Sequence, residues 1–495
     1  MMEKTMNSSN PLLVSVLAVF PILCFVILIK HVKSRGKNLP PSPRKLPIIG
    51  NLHQIGDLPH KTLEAMASKL GPLMFVHFGS TRYLVVSSAD AIDEITKNHD
   101  TSFSNRPPNT SLTPLKGSGL DMVYSPYGDH WKQVRKVSAL HLLSKNVVYG
   151  FQSAIRDEEI SDMLKTIQSS ALKRSDLDLS DVFLSLVNNV VYRSFTGRRY
   201  EEVKGMSFGE WDLKFKKLMG AFCFGDLYPS FAWMDRLTGY TSNLKRIYAE
   251  LDVFMEHMIS ESRGQQGYLD GLFHLEEEQK LEYLKDIKAI AQGIYVAAVE
   301  SVALELDWIM SELIRHPEAM RKVQEEVRGI VGNKTKITSN DVDQMHYLKC
   351  VIKETTRLHP PGIIPREIAE DVKIYGYEIP AKTKVLVNAH AIQSDPKIWE
   401  KPKEFVPERF EGTKIDYMGN HKGFIPFGFG RRNCPGMSLG VALLEDSMAN
   451  LLYWYDWEMP KGSKPQDLSM DETFQFVVSR KYPLRLVPVA RFPVD

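Results

Sequence analysis

The stretch "PFGFGRRNCPG", residues 426–436, excludes any long helix or strand where it stands. Its two prolines lack a backbone donor, and its three glycines accept backbone angles that other residues avoid. It reads as a loop. Directly after it, "MSLGVALLEDSMANLLYWY" repeats apolar residues at helical spacing, and Pro435 suits a helix start. Cys434 is therefore expected just before a helix N-terminus with Arg431 and Arg432 beside it, and both settings favour a thiolate over a thiol. Two other readings compete for the same residues. Gly428-x-Gly430 opens a dinucleotide fingerprint, but the third glycine position is Asn433 and "HKGFIPF" makes a weak strand. Gly436 to Gly440, "GMSLG", has the spacing of a hydrolase nucleophile elbow around Ser438, yet that elbow needs a strand running into the serine, and here the chain is loop.

The N-terminus constrains location. Residues 11–29, "PLLVSVLAVFPILCFVILI", are 19 positions without a charge, enough for one helix to cross about 30 Å of hydrocarbon. The run is long for a signal peptide, and "KHVKSRGKNL" follows where a cleavage site would lie. Lys30, Lys33, Arg35, Lys37, Arg44 and Lys45 all come after it, with no acid in residues 30–45. The positive-inside rule then makes residues 1–10 luminal and the main body cytosolic. Residues 30–50 form a basic hinge stiffened by Pro40, Pro41, Pro43 and Pro47, leaving 51–495 as the cytosolic catalytic domain. Of the glycosylation triplets at Asn7, Asn109 and Asn333, this orientation disfavours the last two.

The body is globular in composition, with 43% hydrophobic and 25% charged residues, and large enough to enclose a cofactor. A net charge of +2 without a basic cluster gives no sign of a nucleic-acid partner. Cys24, Cys223, Cys350 and Cys434 are too scattered for a disulfide framework or a zinc knuckle, and the first three sit in apolar patterns that suit small buried hydrophobes. "LMFVHFG" and "YLVVSS" predict a hairpin turning at Ser80-Thr81-Arg82. Helical patterns dominate residues 89–360, short strands such as "KVLVNAH" follow 361, and the charged stretch at 274–286 reads as a solvated surface segment entering a helix. The fold class is mainly α with small β-sheets, preceded by one N-terminal transmembrane helix.

A soft thiolate in a loop that lets the backbone come close suits a flat iron cofactor. Phe427-x-x-Gly430-x-Arg432-x-Cys434-x-Gly436 resembles the haem-binding loop of the cytochrome P450 family. The resemblance implies that Cys434 is the axial ligand of a haem b iron, that Arg432 pairs with a haem propionate, and that Phe427 and Gly436 are cofactor-binding positions of the loop. "KETTRL" followed by "PERF" resembles the family's structural triad, here Glu354, Arg357 and Arg409. "WKQVR", with Trp131 and Arg135 four apart on one helix face, and Arg366 in "IPRE" resemble further propionate partners. The motifs, the anchor and the proline hinge occur in family order, so the resemblance covers essentially the whole chain. "NLPPSPRKLPIIGNLHQIG" suggests the plant microsomal members that oxidise specialised metabolites.

As a member of that family, the chain would be a monooxygenase acting on a small lipophilic terpenoid, phenylpropanoid, furanocoumarin or alkaloid. No flavin or nicotinamide motif is evident, so electrons would come from an NADPH-cytochrome P450 reductase, with both proteins on the endoplasmic reticulum membrane. Lys132 and Lys136 are candidates for docking an acidic partner, although a solvated helix face explains them equally. The family's distal helix carries Ala/Gly-Gly-x-Asp/Glu-Thr, and here it reads Ala297-Ala298-Val299-Glu300-Ser301. Glu300 and Ser301 are the expected catalytic pair for relaying protons to oxygen. Ser301 lacks the threonine methyl that fixes the rotamer, and Ala298 adds a methyl beside the oxygen site. An atypical outcome such as cyclisation, C–C coupling, dehydration or isomerisation is the alternative; a serine hydrolase using Ser438 and a non-catalytic haem protein are more remote. The substrate pocket is expected to use Phe103, Leu115, Phe222, Tyr295, Val296, Ala297, Ile363, Ile364, Phe474 and Phe476.

Overall fold

The computed structural model describes residues 38–112, 121–200, 208–277, 287–475 and 477–492. The expected anchor at 11–29, Leu115, Phe476 and the charged residues 278–286 lie outside the described residues. What is described is mainly helical with small sheets. The organising element is the 29-residue helix Ile287–Arg315, called the cavity helix below. It is long and apolar enough to span a membrane, but 67% of its most apolar window is buried inside the body. Its hydrophobicity is spent on the core. The helix Leu179–Thr196 packs along it, started by the Asp178 side chain accepting from the Asp181 N–H and ended by Gly197 at a φ of 74°. Helices Tyr240–Ser262, His346–Leu358 and Met437–Trp454 close the remaining sides, so one continuous hydrophobic cluster surrounds the cavity helix.

The strands are β1 (Leu73–Phe78), β2 (Thr81–Val86), β3 (Leu177–Asp178), β4 (Ile363–Glu367), β5 (Val372–Ile374), β6 (Tyr377–Ile379), β7 (Lys384–Asn388), β8 (Tyr455–Glu458), β9 (Glu472–Phe474), β10 (Val478–Arg480) and β11 (Arg485–Ala490). The largest sheet has the order β1-β2-β7-β4, with β2 and β7 parallel and the other pairs antiparallel. The expected hairpin forms, but Phe78 pairs with Thr81, so the turn is Gly79-Ser80 and not Ser80-Thr81-Arg82. Gly79 allows this at a φ of +60°, where a Cβ would lie 2.7 Å from the Leu227 carbonyl oxygen.

The described part of the expected proline hinge is docked on this sheet and on the β5–β6 pair. The Pro41 carbonyl accepts from Phe75 N, the Asn38 carbonyl from Glu378 N, and Asn51 N donates to His77 O. Prolines 40, 41 and 43 stiffen a segment that is already part of the body, so any free spacer ends before Asn38.

Glu354, Arg357 and Arg409, far apart in sequence, meet in a buried knot. Arg357 Nε and Nη2 donate to the two Glu354 carboxylate oxygens at 2.7 and 2.9 Å, and Arg409 Nε donates to Oε1 at 2.9 Å. The remaining donors of Arg357 hold the carbonyls of Gln393, Pro402 and Glu404. The Gln393 side chain in turn accepts from Ile425 N, one residue before the 426–436 loop. The knot thus positions the loop without touching the cavity beneath it.

Candidate functional site

The 426–436 loop is built by two glycines that no other residue replaces cheaply. Gly428 and Gly430 adopt φ values of +76° and +63°, and a Cβ on Gly430 would meet Asp100 Oδ1 at 2.2 Å. With those bends, Cys434 N donates to the Phe427 carbonyl at 2.7 Å and the Cys434 side chain turns inward. The helix after the loop begins at Met437, not at Pro435, with Gly436 as its cap. Cys434 lies two residues before that cap.

Cys434 faces a cavity of about 390 Å³. One side of the cavity is the cavity helix, presenting Ile294, Ala297, Ala298, Ser301, Leu304, Glu305 and Trp308, which share a face at helical spacing. The opposite side is Phe427, Gly428, Cys434, Pro435 and Gly436. Four arginines, Arg106, Arg135, Arg366 and Arg432, gather on its wall. Their described hydrogen bonds are to neutral acceptors. Arg432 donates to the carbonyls of Ser104, Met122 and Ser125, Arg366 to that of Arg432, Arg106 to those of Val123 and Pro365, and Arg135 to the carbonyl and side chain of Asn433. Burial together with the neighbouring guanidiniums depresses Arg366 well below its ordinary range and Arg432 to about 9. Asp121 is the carboxylate that acts on Arg432 and Arg106, and four cations on one wall are costly to desolvate unless a further anionic group joins them.

Trp131 lies on the wall, but its N–H is engaged with the Met122 carbonyl at 2.9 Å. Its ring supports the cluster from below, 4.2 Å from the Arg432 guanidinium carbon and 5.4 Å from that of Arg135. The cations expected beside Cys434 also sort differently. Arg431 turns outward to Asp100 at 3.3 Å and Arg432 turns to its carbonyls, which leaves Arg135 as the charge that lowers the thiol. Burial nevertheless pushes the Cys434 thiol up, against the Gly436 N–H and Arg135. A bound metal ion is what makes such a thiol a thiolate. A cysteine sulfur, a mainly apolar lining and four arginines on the wall fit an iron cofactor with acidic side groups.

Residues 40–486 match the profile of the family described as Cytochrome P450. The chain belongs to the cytochrome P450 family. It is 40% identical to a phenylacetaldehyde oxime monooxygenase of Prunus mume over 499 residues, covering 96% of this chain and 95% of the relative. It is 43% identical to cytochrome P450 71A1 of Persea americana (88% of this chain, 91% of the relative). Identity is 40% to desmethylyatein synthase of Sinopodophyllum hexandrum (94% and 96%). This P450 is an oxidoreductase, a monooxygenase whose cofactor is haem with thiolate-ligated iron.

The expected relay pair separates in this P450. Ser301 opens into the cavity, its hydroxyl donating back to the Ala297 carbonyl at 2.9 Å. Glu300 turns the other way, because adjacent helical positions are about 100° apart. Lys216 Nζ, on the helix Phe208–Met219, lies 3.1 Å from Glu300 Oε1 and 2.6 Å from Asp212 Oδ2. Burial and the Asp212 charge push Glu300 up to about 7. Burial alone would lower Lys216, but Glu300 and Asp212 hold it above its ordinary value.

Of the expected pocket residues, Ala297 and Ile364 line the cavity. Tyr295 and Val296 rotate off it. Tyr295 donates to Asn188 Oδ1 at 2.6 Å within an aromatic cluster of Phe195, Phe208 and Phe254, and Val296 faces the core. Phe103 and Ile363 pack in clusters around the main sheet, and Phe474 stacks near His60. Phe222 is 55% exposed beside Phe224. Val123, Val187, Val191, Phe195, Val477 and Val478 supply the apolar lining instead. Arg106 and Lys216 were not legible in spacing, whereas Glu305 carried a signal, an acid one turn past Ser301 in an otherwise apolar helix. Ser438 begins a helix with no strand running into it, so the hydrolase elbow is absent.

Proposed function

We propose that Cys434 ligates the haem iron, that Arg106, Arg135, Arg366 and Arg432 neutralise the propionates, and that the enzyme monooxygenates a small lipophilic plant specialised metabolite. The observation that carries this reading is the convergence of Cys434 with four arginines, Arg366 and Arg432 buried and Arg106 and Arg135 half-buried, on one apolar cavity. When bound, the haem supplies dioxygen activation, and thiolate ligation favours O–O cleavage. The protein's own part is to exclude water with valine and phenylalanine walls, to hold the substrate against Ala297 and Ala298, and to pass protons at Ser301 Oγ. Relatives named as a phenylacetaldehyde oxime monooxygenase, a desmethylyatein synthase and a desmethyl-deoxy-podophyllotoxin synthase support a specialised-metabolism substrate.

Electrons come from an NADPH-cytochrome P450 reductase, and the exposed Lys132 and Lys136 on the helix Asp129–Ser138 are placed to meet an acidic partner. The enzyme is held on the endoplasmic reticulum membrane by residues 11–29. A surface apolar patch supports that placement. Leu46, Ile48 and Ile49 are exposed next to Gly50, which bridges to Phe78, while Phe231, Trp233 and Leu237 are exposed beyond Leu227, whose carbonyl accepts from Ser80 N. Both groups flank the β1–β2 turn, as the parts of a membrane-dipping face would.

The test is the carbon monoxide difference spectrum of the reduced protein. Wild type is expected to show a thiolate-type Soret band that Cys434→Ser loses, and well-folded wild type without haem overturns the reading. Reconstitution with the reductase then supports turnover-based substrate screening. In that system Ser301→Ala is expected to raise the peroxide released per NADPH several-fold, and unchanged coupling removes Ser301 from the relay.

A further inference from the structure

The acid that faces the cavity is Glu305, and Glu300 is turned away from it. Glu305 lies four residues after Ser301, one turn along the same face, and helical side chains lean toward the N-terminus, so it leans toward Ser301. Glu305 lines the cavity, and its Oε1 is enclosed with no hydrogen-bond partner among the described residues. Burial pushes the carboxyl up to about 8, and no cation contributes to holding it ionised. Below that pH the carboxyl keeps its proton and can donate it.

The groups around this end of the cavity are few. Trp308 is on the same helix, Thr356 and His359 come from the end of the helix His346–Leu358, and Phe427 comes from the loop. Tyr417 feels the Glu305 charge from the segment before that loop. His359 stacks flat on Trp308 at 3.9 Å, and its Nε2 lies 2.6 Å from Glu312 Oε1. Its Nδ1 is enclosed and unpartnered among the described residues. Glu312 Oε2 lies 3.2 Å from Nδ1 of the partly exposed His316, so a chain of titratable groups leads from this end of the cavity to solvent.

We propose that Glu305 is a proton donor to the distal side of the cavity, handing its proton on through Ser301. The step balances: the Glu305 O–H bond breaks, its proton goes to Ser301 Oγ, and the hydroxyl's former proton goes to the oxygen being reduced. The electrons are those of the monooxygenase reaction, and the carboxylate is reprotonated from the His359, Glu312 and His316 side. This inference rests on the haem-thiolate reading of Cys434.

Infrared difference spectroscopy of the full-length haem protein reads the donor directly. Wild type is expected to show a carboxylic acid C=O band at neutral pH that titrates with a midpoint near 8, is lost in E305Q, and shifts in Ser301→Ala. With carbon monoxide as the probe on the reduced protein, the C–O stretch is expected to follow the same titration in wild type and to be pH-independent in E305Q. With reductase and NADPH, water formed per NADPH is expected to fall about tenfold in E305Q, less than a full proton donor contributes because water substitutes in part. If E305Q fails to take up haem, E305D, which keeps the acid, must retain the band. An ionised Glu305 at neutral pH, or wild-type water formation in haem-replete E305Q, overturns the proposal. Absence of a thiolate-type Soret band in wild type defeats the underlying reading instead, which keeps the two failures distinct.

Discussion

Glu354→Ala is expected to cost the folded protein about 3–5 kcal/mol, a large part of the roughly 5–15 kcal/mol that separates folded from unfolded chains. Glu354 and Arg357 are both 0% exposed, so removing the carboxylate leaves a guanidinium that water cannot reach. Three partners lose their acceptor together, namely Arg357, Arg409 and the Val406 N–H. The loss spreads, because the two arginines also hold carbonyls at Gln393, Glu400, Lys401, Pro402 and Glu404, and Gln393 supports the cofactor loop through Ile425. Urea titration followed by the Soret band and by far-ultraviolet circular dichroism measures it, with haem loss expected to precede backbone unfolding. Glu354→Gln keeps one carbonyl oxygen on the Val406 N–H and should lose less. A change below about 1 kcal/mol in Glu354→Ala would mean that the knot is held by its carbonyl contacts alone.

The sequence disclosed most where chemistry forces residue type at fixed spacing. The 426–436 loop was legible from its glycines and prolines, whose need the structure shows in the positive φ of Gly428 and Gly430 and the contact with Asp100, and the triad was legible only through the resemblance of two motifs to a family pattern. Helices were legible from apolar periodicity, yet the cavity helix also passes a membrane test, and only its burial assigns it to the core. The pocket was poorly legible. Tyr295 and Val296 are apolar neighbours of Ala297, but a rotation of about 100° per residue sends them into the core, and composition carries no phase. Trp131, expected as a propionate partner, lies on the cavity wall with its N–H on a backbone carbonyl that no sequence spacing reveals. Glu300 is expected at the relay through the resemblance of residues 297–301 to the family's distal-helix motif; in the fold its neighbour is Lys216, 84 positions earlier and brought to it by helix packing.

Arg366→Met should move two properties in opposite directions. Arg366 is 1% exposed, donates to the Arg432 and Pro365 carbonyls, and is driven far below its ordinary pKa by burial and by Arg106 and Arg432. In the haem-free chain it is therefore a desolvated charge facing like charges, and a methionine of similar length removes that penalty. Once an anionic propionate is present the sign reverses, because the same burial that made the lone cation costly strengthens its attraction to an anion. Truncating one partner of a buried charge pair costs roughly 2–5 kcal/mol, which corresponds to haem dissociation about 30-fold to several thousand-fold faster. Transfer of haem from the holoprotein to an excess of an apo-globin acceptor measures that rate, and thermal unfolding of protein expressed under haem limitation measures the other property. Arg366→Lys separates charge from geometry: it keeps a cation but loses the planar fork, and it should fall between wild type and Met in haem retention. If Met retains haem as well as wild type does, Arg366 is not among the residues that hold the cofactor, and the anion-binding role passes to Arg106, Arg135 and Arg432.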